Sequence, residues 1–194
     1  MTRTRLWQIG ATALGVALVA WGASRIVERV VAPLPPPGAA TPAPAAPASV
    51  PHIIATLYYA SSDGRSLAAV KREVPLADGA RAQGREILIS QLGPAPVPYV
   101  SLTPPATKLR AFYVTDRGDA FVDLTSEIST EHPGGSTREL LTVQAIVNAV
   151  TANLSAVQRV QILIDGKEAD TLAGHVDLRR PFERRLVAGG GRRR

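Results

Sequence analysis

Between Ser136 and Asn153 the chain commits itself to a helix that cannot stand alone. Leu140, Val143, Val147, Val150 and Leu154 recur at three- and four-residue spacing, and Leu141 and Ile146 widen the stripe. A helix with so broad an apolar face must lie on another element, and the flanking strands are the expected floor. Its start is marked by Ser136 with Glu139 three residues on. That is the spacing of a capping box, in which the two side chains satisfy free backbone N–H groups of the first turn. Ahead of the helix, Ala120, Val122 and Leu124 alternate with Phe121 and Asp123, which reads as a strand. A polar loop ending in Pro133-Gly134-Gly135 joins the two.

The flanking sequence supplies the rest of a small domain. Residues 53–59 (IIATLYY) are rich in β-branched and aromatic side chains and read as a buried strand. Ser61-Ser62-Asp63-Gly64 is a turn, and residues 67–74 read as the returning strand of a hairpin. Residues 79–92 read as a helix with Gly84, Ile87, Leu88 and Leu92 on one face, ended by Gly93-Pro94. After a Pro-rich loop, residues 108–115 alternate as a strand and turn tightly at Asp116-Arg117-Gly118-Asp119. Beyond the long helix, residues 160–164 form a strand, and Asp165-Gly166 is a strong hairpin signal, with residues 168–172 expected to pair back. The fold class expected is α+β, a mixed, mainly antiparallel sheet with two helices packed on it, occupying residues 52–178.

The segments outside that domain have other characters. Residues 6–23 contain no charge, follow Arg3 and Arg5, and carry Trp7 and Trp21 near the two ends. Eighteen uncharged, mostly apolar residues reach the lower limit for a membrane span, and indoles favour the bilayer interface. Residues 1–31 are therefore expected to be an uncleaved signal-anchor, with the domain on the extracytoplasmic side. A cleaved signal peptide is the competing reading. Residues 32–51 are a Pro/Ala linker holding eight prolines, an extended spacer that cannot pack a core. A PxxP ligand is its functional alternative. Residues 179–194, rich in Arg and Gly, are expected to be a disordered tail.

Charge excludes one class of partner. Residues 32–178 hold eleven basic residues against fourteen acidic ones, whereas the two ends hold eleven against two. The basic excess belongs to the ends, so it does not make the domain a nucleic-acid binder. The absence of cysteine rules out a disulfide framework, a Cys-ligated metal and a Cys nucleophile.

The order of motifs resembles a known family. An aromatic first strand is followed by a helix ending in Leu92-Gly93-Pro94, a strand and turn, and then Val122-Asp123-Leu124. Gly135-Ser136 with Glu139 comes next, then a helix ending near Thr151, and a strand ending in Asp165-Gly166. Together these resemble the GerMN domain over about residues 53–174. The resemblance implies an α+β domain without catalytic residues, of a kind found in envelope proteins; its best-known member acts in envelope assembly during sporulation. This chain departs from that member in having one such domain instead of two, and no cysteine for a lipid anchor.

Residue by residue, no catalytic, cofactor-binding or metal-ligating set emerges. Asp116, Asp119 and Asp123 lack calcium-loop spacing, and Asp123 is better suited to receiving backbone N–H groups from a nearby loop. Arg117-Gly118-Asp119 matches an adhesion tripeptide but is explained by a turn. His52, His132 and His175 have no second histidine at metal-ligand spacing. Ser101, His132 and Asp123 could be written as a triad, but no nucleophile elbow supports it. Gly134-Gly135-Ser136 opens a helix and could hold an anion, against which Glu139 stands in the first turn. The expected function is a non-catalytic, membrane-tethered envelope domain serving protein interaction or scaffolding, with an envelope protein or a second copy as partner. The alternative is an extracytoplasmic ligand- or cell-wall-binding module.

Overall fold

The computed structural model describes residues 51–184. The expected anchor, nearly all of the linker and residues 185–194 lie outside the described residues. Within them the elements run β1 (His52–Ala60), β2 (Leu67–Pro75), α1 (Gly79–Leu92), β3 (Leu109–Val114), β4 (Asp119–Leu124), α2 (Glu127–Thr130), α3 (Ser136–Asn153), β5 (Arg159–Ile164) and β6 (Phe182–Glu183). No helix among the described residues is long and apolar enough to cross a membrane.

The α+β class holds, but the strands form two sheets instead of one. β1 and β2 are an antiparallel pair, and the second sheet has the order β3-β4-β5-β6. In that sheet β4 and β5 are parallel and the other neighbours antiparallel. The parallel pair follows from α3, which carries the chain back so that β5 starts beside the start of β4. The sheets stay separate because the far edge of β1 is closed by side chains and a loop. Asn153 accepts from the Thr56 N–H and donates to the Thr56 carbonyl, each at 2.8 Å. Gln91 does the same at Tyr58, at 2.9 and 2.6 Å. Ala60 exchanges two backbone bonds with Val100. Two amide side chains, each with a donor and an acceptor, thus take the place of a third strand.

α3 does more than lie on a floor. Val143 and Val147 are buried as expected, but eleven of the eighteen residues are buried, because the helix meets β1, α1, β5 and β6. Leu140 is only half-buried. On α1 the buried face is Gln83, Gly84, Ile87, Leu88 and Gln91. Of the described glycines Gly84 has the least room: a Cβ there would collide with the buried Phe112 ring of β3.

Three local expectations are corrected. The stretch before Pro133 is not all polar loop: α2 forms one turn and sends Ile128 into the core. Residues 168–172 do not form a strand. Asp165 and Gly166, both at positive φ, make the expected tight turn, but its ladder stops at the Ile164–Lys167 bridge. The edge of β5 is instead taken by Phe182–Glu183, inside the segment expected to be a disordered tail. An unpaired edge beside an apolar helix recruits the strand, and Phe182 packs against the core there.

Candidate functional site

The polar groups of the domain gather where α3 begins. Glu139 and Thr142 lie three residues apart, on one side of the helix, and both are completely buried. The capping-box expectation fails here. Ser136 is already helical, Gly135 at φ 88° is the cap residue, and no side-chain cap bond forms. Gly135 enters in a backbone conformation that glycine tolerates, and the Glu139 N–H bonds to the Gly135 carbonyl.

The Glu139 carboxylate is thereby free to hold a distant loop. Its Oε2 accepts the N–H groups of Ala173, His175 and Val176 at 3.2, 3.0 and 3.0 Å. Its Oε1 lies 2.7 Å from Nδ1 of His175. Burial pushes this carboxyl up, but the N–H of Val176, the His175 ring and the N–H groups of His175 and Ala173 outweigh it and hold it at about 2. The group therefore stays ionised, which repays its burial.

Thr142 organises the other side of the same turn. The His132 Nε2 lies 3.0 Å from its hydroxyl. Nδ1 of His132 accepts the Gly134 N–H at 3.0 Å, so in the neutral ring the proton sits on Nε2 and is donated to Thr142. The Thr142 hydroxyl points to the carbonyls of Leu102 and Arg138, at 3.1 and 2.9 Å. Burial lowers the His132 pKa; Glu139 raises it and Arg138 lowers it further, with a net lowering. Three segments thus converge on one helical turn: 132–135, 101–103 and 173–176.

A second polar cluster sits on β4. Asp123 is 7% exposed. Its Oδ1 accepts the Gly166 N–H at 2.7 Å, and Arg110 stands 3.7 Å from Oδ2 while donating to Asp165 at 2.9 Å. The expectation that Asp123 receives a loop N–H holds, and the loop is the Asp165-Gly166 turn.

The remaining candidates are not brought together. Ser101 accepts the Ala95 N–H, His132 is bonded to Thr142 and Gly134, and Asp123 to Gly166, so the written triad has no shared geometry. Asp119 binds Arg159 at 2.8 Å, and the Gly118 carbonyl accepts from Gln158, which fixes the Arg117-Gly118-Asp119 turn against the start of β5. Asp116 is exposed in that turn, and His52 is exposed at the start of β1. Gly134 already spends its N–H on His132, which removes one donor from the anion reading. No group of three or more potential metal-ligating side chains lies together among the described residues.

The chemistry available is limited. Glu139 and His175 have the carboxylate–imidazole geometry that orients a general base, and the His175 side chain is half-exposed. The larger grooves lie elsewhere: one of 380 Å³ runs between Leu140, Gln144 and Val147 of α3 and the Phe182 segment. A smaller notch of 190 Å³ lies between Leu92 and Pro105. Sequence reasoning assigned Glu139 to the cap and passed over Thr142, Gln91 and Asn153. The signal for Gln91 was its place on the apolar face of α1, one turn from Ile87 and Leu88.

With this geometry the chain can be set beside known proteins. The Germane family, described as "Sporulation and spore germination", matches residues 56–170. Among solved structures, the tandem GerMN domains of the sporulation protein GerM from Bacillus subtilis are 18% identical, with a TM-score of 0.52. That match covers 71% of this chain and 46% of the tandem protein, and it shows a shared fold. The first GerMN domain of the same protein is 19% identical over 70% of this chain and 98% of that one, with a TM-score of 0.48. The "Putative Lipoprotein from Clostridium perfringens" is 26% identical over 68% of this chain and 87% of that one, with a TM-score of 0.49. No curated protein sequence matches the chain significantly.

Proposed function

The chain belongs to the Germane family of sporulation and spore germination domains, and from that premise we propose that it is a non-catalytic envelope domain that serves protein interaction or scaffolding. The observation that supports this reading is how the buried polar groups are used. Glu139, Thr142, His132 and Asp123 are each committed to hydrogen bonds that hold a loop against the core. Groups committed in this way hold surface segments in place and leave little capacity for turnover.

In this reading residues 6–23 tether the protein to the membrane, and the Pro/Ala linker projects the domain on the extracytoplasmic side. The uncharged run after Arg3 and Arg5 motivates the tether. The test has two parts. Protease added to intact protoplasts degrades the domain, and the protein stays in the membrane fraction after a salt wash. Recovery of a soluble protein starting after Gly22 would sink the tether. His175→Ala leaves cellular function intact if the domain is a scaffold; a variant that melts like wild type but fails to complement a deletion would reopen an enzymatic reading at the Glu139–His175 pair.

A ligand- or cell-wall-binding module is the second reading. The groove of 380 Å³ beside α3 gives it a location. Apolar Leu140, Val147, Pro181 and Phe182 share the lining with Gln144, Glu183 and Arg184, a mixture that suits a peptide segment with both kinds of side chain.

A further inference from the structure

We propose that the outer edge of β2 pairs with the same edge of a second copy of this chain, antiparallel about a two-fold axis at Arg72; this names a partner for the interaction-module reading and rests on it.

The two edges of the β1–β2 pair are treated differently. The β1 edge is closed at Thr56 by Asn153, at Tyr58 by Gln91 and at Ala60 by Val100. Those bonds also fix which groups of β2 face outward. Thr56 is opposite Lys71 and Tyr58 is opposite Ala69. Directly opposed residues of an antiparallel pair both face inward or both face outward. Because Thr56 and Tyr58 turn their N–H and C=O away from β2, Lys71 and Ala69 turn theirs away from β1. Two residues on, Glu73 does the same. Ala69, Lys71 and Glu73 are all exposed, and among the described residues no hydrogen bond reaches their backbone groups.

Charge selects the occupant and the register. Edges are blunted by charge, proline or a bulge, and Pro75, which has no N–H, ends the pairable part of β2; what opens an edge to a particular partner is charges of opposite sign that can meet across it. This one carries a cation at Lys71 and an anion at Glu73, on the same face. In an antiparallel pair centred on Arg72, Lys71 stands opposite Glu73 of the second copy, and the reverse contact repeats across the axis. Centring on Lys71 or on Glu73 sets like charges opposite each other, and centring on Val70 sets Lys71 against Ala69. Arg72 itself meets its own copy on the axis, but its guanidinium is drawn away, donating to the Tyr59 hydroxyl at 3.2 Å and the Pro94 carbonyl at 3.1 Å. The shared edge is short, below the roughly 1,200 Å² of a stable interface, so the pairing is weak and concentration-dependent. A tether that confines both copies to one membrane raises their effective concentration.

The experiment uses the full chain in detergent micelles. The chain has no cysteine of its own, so single cysteines report cleanly. At the axis the two Arg72 Cα atoms would stand about 4.5 Å apart, within disulfide range. Arg72→Cys is expected to form a disulfide dimer under mild oxidation. Val70→Cys, displaced by four residues or about 13 Å, is not. A second measurement leaves Arg72 intact. Lys71→Glu lowers the crosslinker-trapped dimer fraction at least fivefold, and adding Glu73→Lys to the same chain restores it, with all three proteins melting alike. Equal disulfide yields at 70 and 72, or failure of the double swap to restore the dimer, overturns the proposal. A chain that stays monomeric yet crosslinks to another envelope protein also overturns self-pairing, while leaving the interaction-module reading in place.

Discussion

Among single residues Glu139 carries the most consequence. Removing its carboxylate leaves three loop N–H groups without an acceptor, so Glu139→Ala is expected to cost about 3 kcal/mol, and Glu139→Gln about 2 kcal/mol, in chemical denaturation. Ser136→Ala, by contrast, removes no cap bond. It should fall within about 0.5 kcal/mol of wild type, whereas a true cap would lose about 1 kcal/mol. The pH dependence has a definite sign. The Glu139 carboxyl is held at about 2 in the fold, against 4.5 as its ordinary value. Its contribution is fully present above pH 4.5 and is lost as pH falls towards 2. The advantage of wild type over Glu139→Gln should therefore shrink across that window when both are melted in a pH series. His132 is lowered from 6.5 by burial, so its contribution is present above 6.5 and is lost as pH falls through the folded value. The Glu139 role was hidden in the sequence because Ser-x-x-Glu before an apolar run has the same spelling whether the glutamate caps its own helix or holds a loop 34 or more residues away. Asp123 was legible because an acid at the end of a strand, near a Gly-containing turn, has few other uses.

At the level of elements, α3 and α1 are held by shape. Val147→Asp places a charge where α3 meets its neighbours, and unfolding of the domain at room temperature is the expected outcome, read by circular dichroism. The loss of several kcal/mol rivals a whole domain's margin. Gly84→Ala tests the α1–β3 contact with the signs opposed. Alanine in a helix interior ordinarily gains about 1 kcal/mol over glycine. Here the new Cβ meets the Phe112 ring, which is buried and cannot swing aside. Overpacking costs about 1–3 kcal/mol, so a lower melting temperature is expected, and a higher one would show that the two elements can separate. Both helices were readable from apolar spacing alone, because helix boundaries follow local signals. The use of Gln91 and Asn153 as substitutes for a strand was not, because it depends on β1 coming to lie beside both helices.

For the whole molecule, the order of elements and the place of the C-terminal strand decide what counts as the domain. Residues 51–184 prepared alone should unfold in one cooperative transition. The same piece ended at Leu178 loses β6, exposes the edge of β5 and uncovers the core beside Phe182. It should melt several degrees lower, in keeping with a loss of about 1–2 kcal/mol. Equal melting would show that β6 adds nothing to the fold. The sequence by itself determined the local elements: two helices, the first hairpin, the β3–β4 turn and the Asp165-Gly166 turn. Each is written in periodicity or turn residues within a few positions of where it acts. Only the tertiary structure decided that the strands divide into two sheets, that β4 and β5 run parallel, that an arginine-rich tail supplies a strand, and that Glu139 fastens the 173–176 loop. Each of those depends on which backbone groups remain unpaired once the helices have packed, and an unpaired N–H takes whatever acceptor the fold brings within reach, regardless of its distance along the chain.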